Sequence, residues 1–218
     1  AGGESAAIAW RSGVSGTLLA VCIVAYDAVM KRTPAGPVFM GACRMLNILL
    51  GMSVAVHDSC GGPNWLMRFE LEQLLVAGSV GIYIAGVTWF ARTEAAESNR
   101  GQLTGGVVTM VVGLLLLASY PLFFQNGLIE KPLFHFRELN PIMWQLLIVL
   151  LGFTIARSAA MAVFNPHPQR VQNAVKTAIT SLIVLDAAIC MIVGPYYAIG
   201  VLALLAPTLL LGRWVYST

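Results

Sequence analysis

The sequence predicts an all-α protein, a polytopic bundle of about seven transmembrane helices that forms one integral-membrane domain over residues 1–218. Three observations predict this class. Apolar residues make up 58% of the chain and charged residues only 11%, which is less than half the charged share of an ordinary soluble domain. The apolar residues lie in runs of about 20, the length that crosses a hydrocarbon layer. No strand-like alternation competes, and an open sheet cannot satisfy its backbone in lipid.

Turn residues separate the predicted spans, which lie at 13–30, 37–56, 71–91, 103–123, 141–163, 174–193 and 196–214. Proline and glycine mark the boundaries, because both interrupt helices and favour turns. They occur at 33–37 between the first two spans, at 60–64 before the third, at 165–168 before the sixth, and at Gly194-Pro195 between the last two.

Aromatic and small residues support this arrangement. The tryptophans lie near predicted span ends, as an interfacial aromatic belt requires; they are Trp10, Trp65, Trp89, Trp144 and Trp214. Small residues let membrane helices approach closely, which predicts helix contacts at Gly78, Gly81, Gly86, Gly105 and Gly106.

Lysine and arginine predict the orientation in the membrane. Eight lie on one side of the predicted spans: Lys31, Arg32, Arg92, Arg100, Arg157, Arg170, Lys176 and Arg213. Four lie on the other: Arg11, Arg68, Lys131 and Arg137. The side with eight is expected to be cytoplasmic, so the loops 31–36, 92–102 and 164–173 are expected to face the cytoplasm.

Charge and cysteine content exclude other classes. The net charge of +3 is small and scattered, so the sequence does not indicate a nucleic-acid binder. Cys22, Cys43, Cys60 and Cys190 form no CxxC pair and are interpreted as small apolar residues rather than as a disulfide framework or a zinc site. Ala1 does not resemble a natural start, which predicts a fragment or a processed product.

Polar residues inside the predicted spans are the first functional candidates, because ionisable groups are costly in lipid. Arg44 and Asn47 are three residues apart on the second span and share a helix face. Arg44 lies roughly 10 Å below the predicted cytoplasmic edge. It requires a carboxylate, a phosphate or backbone carbonyls, so it predicts either an anionic ligand or an internal ion pair.

Two aspartates have other interpretations. Asp27 is four residues before Lys31, which predicts an ion pair at the end of the first helix. Asp186 lies in the middle of the sixth span, where it is either a protonated packing residue or the partner of an arginine.

Two glutamates follow the third span. If the helix continues, Glu94 and Glu97 share one face, and two carboxylates so placed can bind Mg²⁺ together with substrate phosphates. Arg92 and Arg100 flank them, and Lys31 and Arg32 come from a neighbouring loop. Carboxylates, a metal ion and several cations together suit a diphosphate. Alone, the same spacing also fits a solvated helix end.

The order of motifs resembles UbiA-type membrane prenyltransferases. Tyr26-x-x-x-x-Lys31-Arg32 ends one helix, a helix marked by proline and glycine follows with Cys43-Arg44, Asn47 and Gly51, and Glu94-x-x-Glu97 comes one helix later. The amino-acid sequence of residues 87–94 is similar to that of poorly characterised bacterial members of this family, including the EboC-like group. The whole chain resembles the middle and C-terminal part of such a protein, without the N-terminal helices of the full-length protein.

The resemblance implies a function and a role for each matched residue. UbiA-type enzymes are helical bundles of the bacterial inner membrane that transfer an isoprenoid from its diphosphate to an aromatic or other lipophilic acceptor. By position, Glu94 and Glu97 would bind Mg²⁺, and Lys31 and Arg32 would contact the departing diphosphate. Residues implied in substrate binding are Tyr26, Asp27, Arg44, Asn47, Arg92 and Arg100. The apolar interior would hold the prenyl tail.

Two other functions remain open from the sequence. A non-catalytic relative would bind or move an isoprenoid precursor, and Ala95 and Ala96 inside the acidic motif favour it. A small ion-coupled transporter would use Asp186, Arg44 and Asp27 as an ion path, although transporters often contain internal repeats and none is evident here.

Overall fold

The computed structural model describes residues 2–53, 69, 71–92, 100–125 and 140–208, and these are helices joined by short turns. The helices are α1 (Gly2–Ala28), α2 (Gly36–Ser53), α3 (Leu71–Ala91), α4 (Arg100–Ala118), α5 (Tyr120–Gln125), α6 (Pro141–Phe164), α7 (Pro168–Val193) and α8 (Pro195–Ala203). A 3₁₀ turn, Met30–Arg32, lies between α1 and α2. No strand occurs among the described residues, so the predicted all-α class is confirmed for this part of the chain.

Proline sets several of the helix boundaries. Pro141 and Pro168 occupy the first turns of α6 and α7, where the missing N–H costs nothing and the fixed φ suits a helix. The side chain of Asn140 also caps α6 by accepting a hydrogen bond from the N–H of Ile142 at 3.0 Å. The predicted break at Gly194 is confirmed, because α7 ends before it and α8 begins after it.

Several predicted spans differ from the structure in their bounds. The first helix begins at Gly2, eleven residues before the predicted 13. The span predicted at 103–123 is divided at Ser119 into α4 and the short α5, because Pro121 begins a new helix and cannot continue the old one. The sixth helix begins at Pro168, six residues before the predicted 174. Of the predicted span 196–214, residues 196–208 are described; they form a short apolar helical segment, α8 and the turn of helix after Leu204.

Four described helices are long and apolar enough to cross a membrane: α3, α4, α6 and residues Pro168–Met191 of α7. The prediction of about seven spans is thus confirmed only for these four. Helices form at the first two predicted spans, but α1 and α2 are outside this set. Polar residues such as Arg44 and Asn47 reduce the apolar character of α2.

The four apolar helices pack in a ring in which α3 contacts α4, α4 contacts α6, α6 contacts α7, and α7 returns to α3. Helix α2 packs on α3, α1 packs on α2, and α8 packs on α7. The main core lies inside the ring, where the largest buried side chains include Tyr83, Phe90, Met110 and Trp144. The opposite face of α6 is exposed, with Leu150 and Phe153 both at 65%, as a lipid-facing surface requires.

Glycine allows α2 and α3 to approach closely. A Cβ on Gly41 would lie 2.5 Å from the carbonyl oxygen of Gly81, and a Cβ on Gly81 would lie 2.9 Å from that of Gly41. Only a residue without a side chain fits at both positions, as in other close helix pairs of membrane proteins. This contact fixes the position of α2, and therefore of Arg44, against the ring.

Candidate functional site

The end of α3, the start of α4, the end of α6 and the turn between α1 and α2 lie at one end of the bundle. A guanidinium nitrogen of Arg92, after α3, donates hydrogen bonds to the carbonyl oxygens of Lys31 (3.1 Å) and Thr33. Arg100, at the start of α4, donates to the carbonyl oxygen of Phe164 at 3.5 Å. We call Lys31, Arg32, Arg92 and Arg100 the basic end.

Within the basic end, the predicted pair of Asp27 and Lys31 is confirmed. Their charged atoms are 3.9 Å apart, and the side chains are 66% and 46% exposed. Pairs of this spacing and exposure contribute little to stability. Arg32 is also exposed, whereas Tyr26 is half-buried on α1. The Lys31 and Arg32 side chains are therefore open to the surroundings of the bundle.

Arg92 holds the 3₁₀ turn against the end of α3. Its two acceptors are backbone oxygens of residues 31 and 33, and Gly36 makes room for it, since a Cβ there would lie 3.0 Å from an Arg92 nitrogen and 2.8 Å from the Met30 oxygen. Arg92 thus positions the segment that carries Lys31 and Arg32. The hydrogen bonds from Arg92 to these backbone oxygens were not predicted from the sequence.

Below the basic end, Arg44 of α2 forms a hydrogen-bonded ion pair with Asp186 of α7. The two side chains are 25% and 28% exposed. The Nε atom of Arg44 is buried and has no hydrogen-bond partner among the described residues. Asp186 is therefore the partner of an arginine, one of the two roles predicted for it. Arg44 forms an internal ion pair, one of the two interactions predicted for it.

Asn47 lies one turn further along α2 from Arg44 and is exposed. The ion pair and the Asn47 amide therefore provide donors and acceptors at the same partly open face of α2. A guanidinium that is paired but still a quarter exposed can also meet an anionic or polar group of a ligand.

A buried polar group at the opposite end of the bundle was missed by the sequence analysis. Glu72, in the first turn of α3, is 1% exposed and accepts a hydrogen bond of 2.9 Å from the hydroxyl of Tyr120. The Tyr120 ring meets the Trp144 ring edge-on at 6.2 Å, and the Trp144 indole donates to the Ala188 oxygen at 3.1 Å. The sequence signal for this buried group was a glutamate, Glu72, at the start of the apolar span 71–91.

Trp144 corrects the predicted aromatic belt. It is fully buried rather than at a lipid interface, because its indole N–H finds a carbonyl partner inside the bundle. Trp10 and Trp89 are 45% and 41% exposed, as the belt predicts. Trp65 and Trp214 lie outside the described residues.

The predicted metal ligands Glu94 and Glu97 also lie outside the described residues. The described residues on either side of them, Arg92 and Arg100, both belong to the basic end. Within the described part of the chain, no group of three or more His, Cys, Asp or Glu side chains could hold a metal ion. The Mg²⁺ site therefore stays a prediction that depends on Glu94 and Glu97.

Comparison with known protein families, with curated proteins and with solved structures finds no match to this chain.

Proposed function

We propose that the chain is the middle and C-terminal part of a Mg²⁺-dependent intramembrane prenyltransferase of the UbiA type. It transfers an isoprenoid chain from a prenyl diphosphate to an aromatic or other lipophilic acceptor. The proposed location is the bacterial inner membrane, with the basic end at the cytoplasmic face.

The observation that carries the proposal is the clustering at the basic end. Two exposed cations from the α1–α2 connection, Lys31 and Arg32, share this end with Arg92 and Arg100, which flank the two glutamates. A diphosphate needs several positive groups and a metal ion to leave as an anion. The two predicted diphosphate contacts, Lys31 and Arg32, therefore lie at the same end of the bundle as the residues on either side of Glu94 and Glu97.

Each residue has a role in this proposal. Glu94 and Glu97 bind Mg²⁺, while Lys31 and Arg32 contact the departing diphosphate. Arg44 and Asn47 line the cavity below, where the apolar interior takes the prenyl tail. Low dielectric strengthens each charge–charge contact as the anion departs, so a site sunk into a membrane bundle suits this reaction.

A specific observation favours a second candidate, a UbiA-like protein that binds or carries an isoprenoid precursor without turning it over. Arg44 is already paired with Asp186, and Arg92 already donates to two backbone oxygens. Both cations are therefore bonded to the protein itself, which leaves fewer groups to assist a leaving anion.

The test uses the protein expressed from its complete gene and reconstituted in vesicles made from total lipids of the source cells, which supply the acceptor. Farnesyl diphosphate and Mg²⁺ are added, and released pyrophosphate is measured. We expect Glu94→Gln and Glu97→Gln to lower the rate at least 100-fold, since each loses a metal ligand. Glu138→Gln, in the loop predicted on the opposite side, is the matched control.

Ordinary rates in both glutamate variants would overturn the assignment of the metal site. Tight binding of farnesyl diphosphate with no pyrophosphate release by the native protein would replace the transferase with the carrier. Absence of both binding and release would reject the resemblance as a guide to function.

A further inference from the structure

Two cysteines face each other between α1 and α2. The thiol of Cys43 on α2 donates a hydrogen bond to the sulfur of Cys22 on α1, with the two sulfur atoms 3.4 Å apart. The Cys22 thiol in turn donates a hydrogen bond to the carbonyl oxygen of Phe39, with the sulfur and oxygen atoms 3.7 Å apart. Both cysteines are free and half-buried. The two cysteine side chains are therefore in direct contact without a covalent bond.

The geometry permits a bond between them with little movement. A disulfide has a sulfur–sulfur distance of about 2.05 Å, which is roughly 1.4 Å less than the present separation. The two helices already pack along each other and are joined through the 3₁₀ turn, so the two thiols lie on adjacent, connected helices. Cys190, the other described free cysteine, lies on α7.

The surroundings indicate which oxidant can reach the pair. Residues on both sides of Cys22 are apolar and open to the outside of the bundle, with Val21 61%, Ile23 43% and Val24 66% exposed. The pair lies well inside both helices, six residues before the end of α1 and seven after the start of α2. A lipid-soluble oxidant approaches such a site more readily than an aqueous one.

We propose that Cys22 and Cys43 are a site of oxidative modification, which a lipid-soluble organic hydroperoxide converts to an intramolecular disulfide. One thiol, attacking as its thiolate, takes the outer peroxide oxygen and becomes a sulfenic acid; the oxygen–oxygen bond breaks, and the leaving alkoxide takes up the thiol proton and departs as an alcohol. The second thiol attacks the sulfenic sulfur, the sulfur–sulfur bond forms, and water leaves. Overall, two thiols and one hydroperoxide give one disulfide, one alcohol and one water.

The bond would fix an outlying helix. Among the described elements, α1 packs mainly on α2 and on the 3₁₀ turn, so a covalent link there ties α1 to the rest of the bundle. Neither cysteine has a role in the proposed prenyl transfer. The proposed disulfide is therefore independent of that function.

The test uses the whole protein in lipid vesicles treated with cumene hydroperoxide, after which free thiols are alkylated and the protein is digested with trypsin. Lys31 and Arg32 lie between the cysteines, and Arg11 and Arg44 bound the peptides. Peptides 12–31 and 33–44 therefore stay together only through a disulfide. We expect most of the protein to give the linked pair, at the summed mass less two hydrogens, and to lose it on reduction.

Variants and a second oxidant sharpen the result. Cys22→Ser and Cys43→Ser are expected to abolish the linked pair, whereas Cys190→Ser is expected to keep it in full. Aqueous ferricyanide is expected to close the pair at least tenfold more slowly than cumene hydroperoxide. Equal rates would overturn the choice of a lipid-soluble oxidant. Separate oxidation of the two thiols without a link, or a link to Cys60 or Cys190, would overturn the site itself.

Discussion

The ion pair between Arg44 and Asp186 joins α2 to the ring of apolar helices, so removing its negative charge should loosen that junction. Asp186→Asn keeps the size of the side chain but leaves the Arg44 guanidinium without a counter-charge. Loss of one partner of a fully buried pair costs about 3–5 kcal/mol, and loss of an exposed partner about 0–1 kcal/mol.

The structure decides where this pair falls between those limits. The side chains are 25% and 28% exposed, and the asparagine retains one hydrogen-bond acceptor. We therefore expect a loss of about 2 kcal/mol in the free energy of unfolding, midway between the exposed and the buried limits. For a chain of this length, that corresponds to a fall of about 4–8 °C in the unfolding midpoint.

The assay is thermal unfolding in detergent micelles, with a double-mutant cycle to isolate the pair. Arg44→Met and Asp186→Leu together should restore the midpoint to near that of the native protein, because matched apolar groups replace the charges without desolvation. Asp27→Asn, in the exposed pair with Lys31 at 3.9 Å, is the matched control and should lower the midpoint by less than about 2 °C. A coupling energy within about 0.5 kcal/mol of zero would refute the reasoning.

Two further predictions use the same unfolding measurement. Gly113→Ala places a Cβ 2.6 Å from a backbone nitrogen of α3, so we expect a loss of about 1–3 kcal/mol in the free energy of unfolding from overpacking. The control is Gly78→Ala, whose Cβ would have nothing within 4 Å and which should leave the midpoint unchanged or higher. A midpoint for Gly113→Ala no lower than that of Gly78→Ala would contradict the close approach of α3 and α4. Tyr120→Phe removes the hydroxyl that bonds the buried Glu72 and should cost about 1–2 kcal/mol. Tyr196→Phe, on a side chain 85% exposed, should cost nothing measurable, and equal midpoints for the two variants would mean that the hydroxyl does not stabilise Glu72.

The helices were predicted best where a local signal sets them. Pro141 and Gly194 mark boundaries that chain chemistry alone determines, and the structure has a helix starting or ending at each. The Asp27–Lys31 pair was predicted for the same reason, since both residues lie on one helix at a fixed spacing. Pro121 is a further local signal within the predicted span 103–123, and the break at Ser119 follows from it.

The candidate site could be predicted only in part. The sequence placed Lys31, Arg32, Arg92 and Arg100 on one side of the spans, and the structure brings them to one end. It could not show that Arg92 bonds the backbone of residues 31 and 33, because that contact depends on how α3 meets the preceding turn.

What the sequence determined by itself is the all-helical class, the apolar helices and the turns between them, because composition and the backbone preferences of proline and glycine act locally. Tertiary structure alone decided that Arg44 meets Asp186, that Cys22 meets Cys43, and that Trp144 is buried. Arg44 and Asp186 are 142 residues apart, and their contact requires a particular order and rotation of helices. Hydropathy cannot supply that rotation, since in a membrane helix the lipid-facing and protein-facing sides are both apolar.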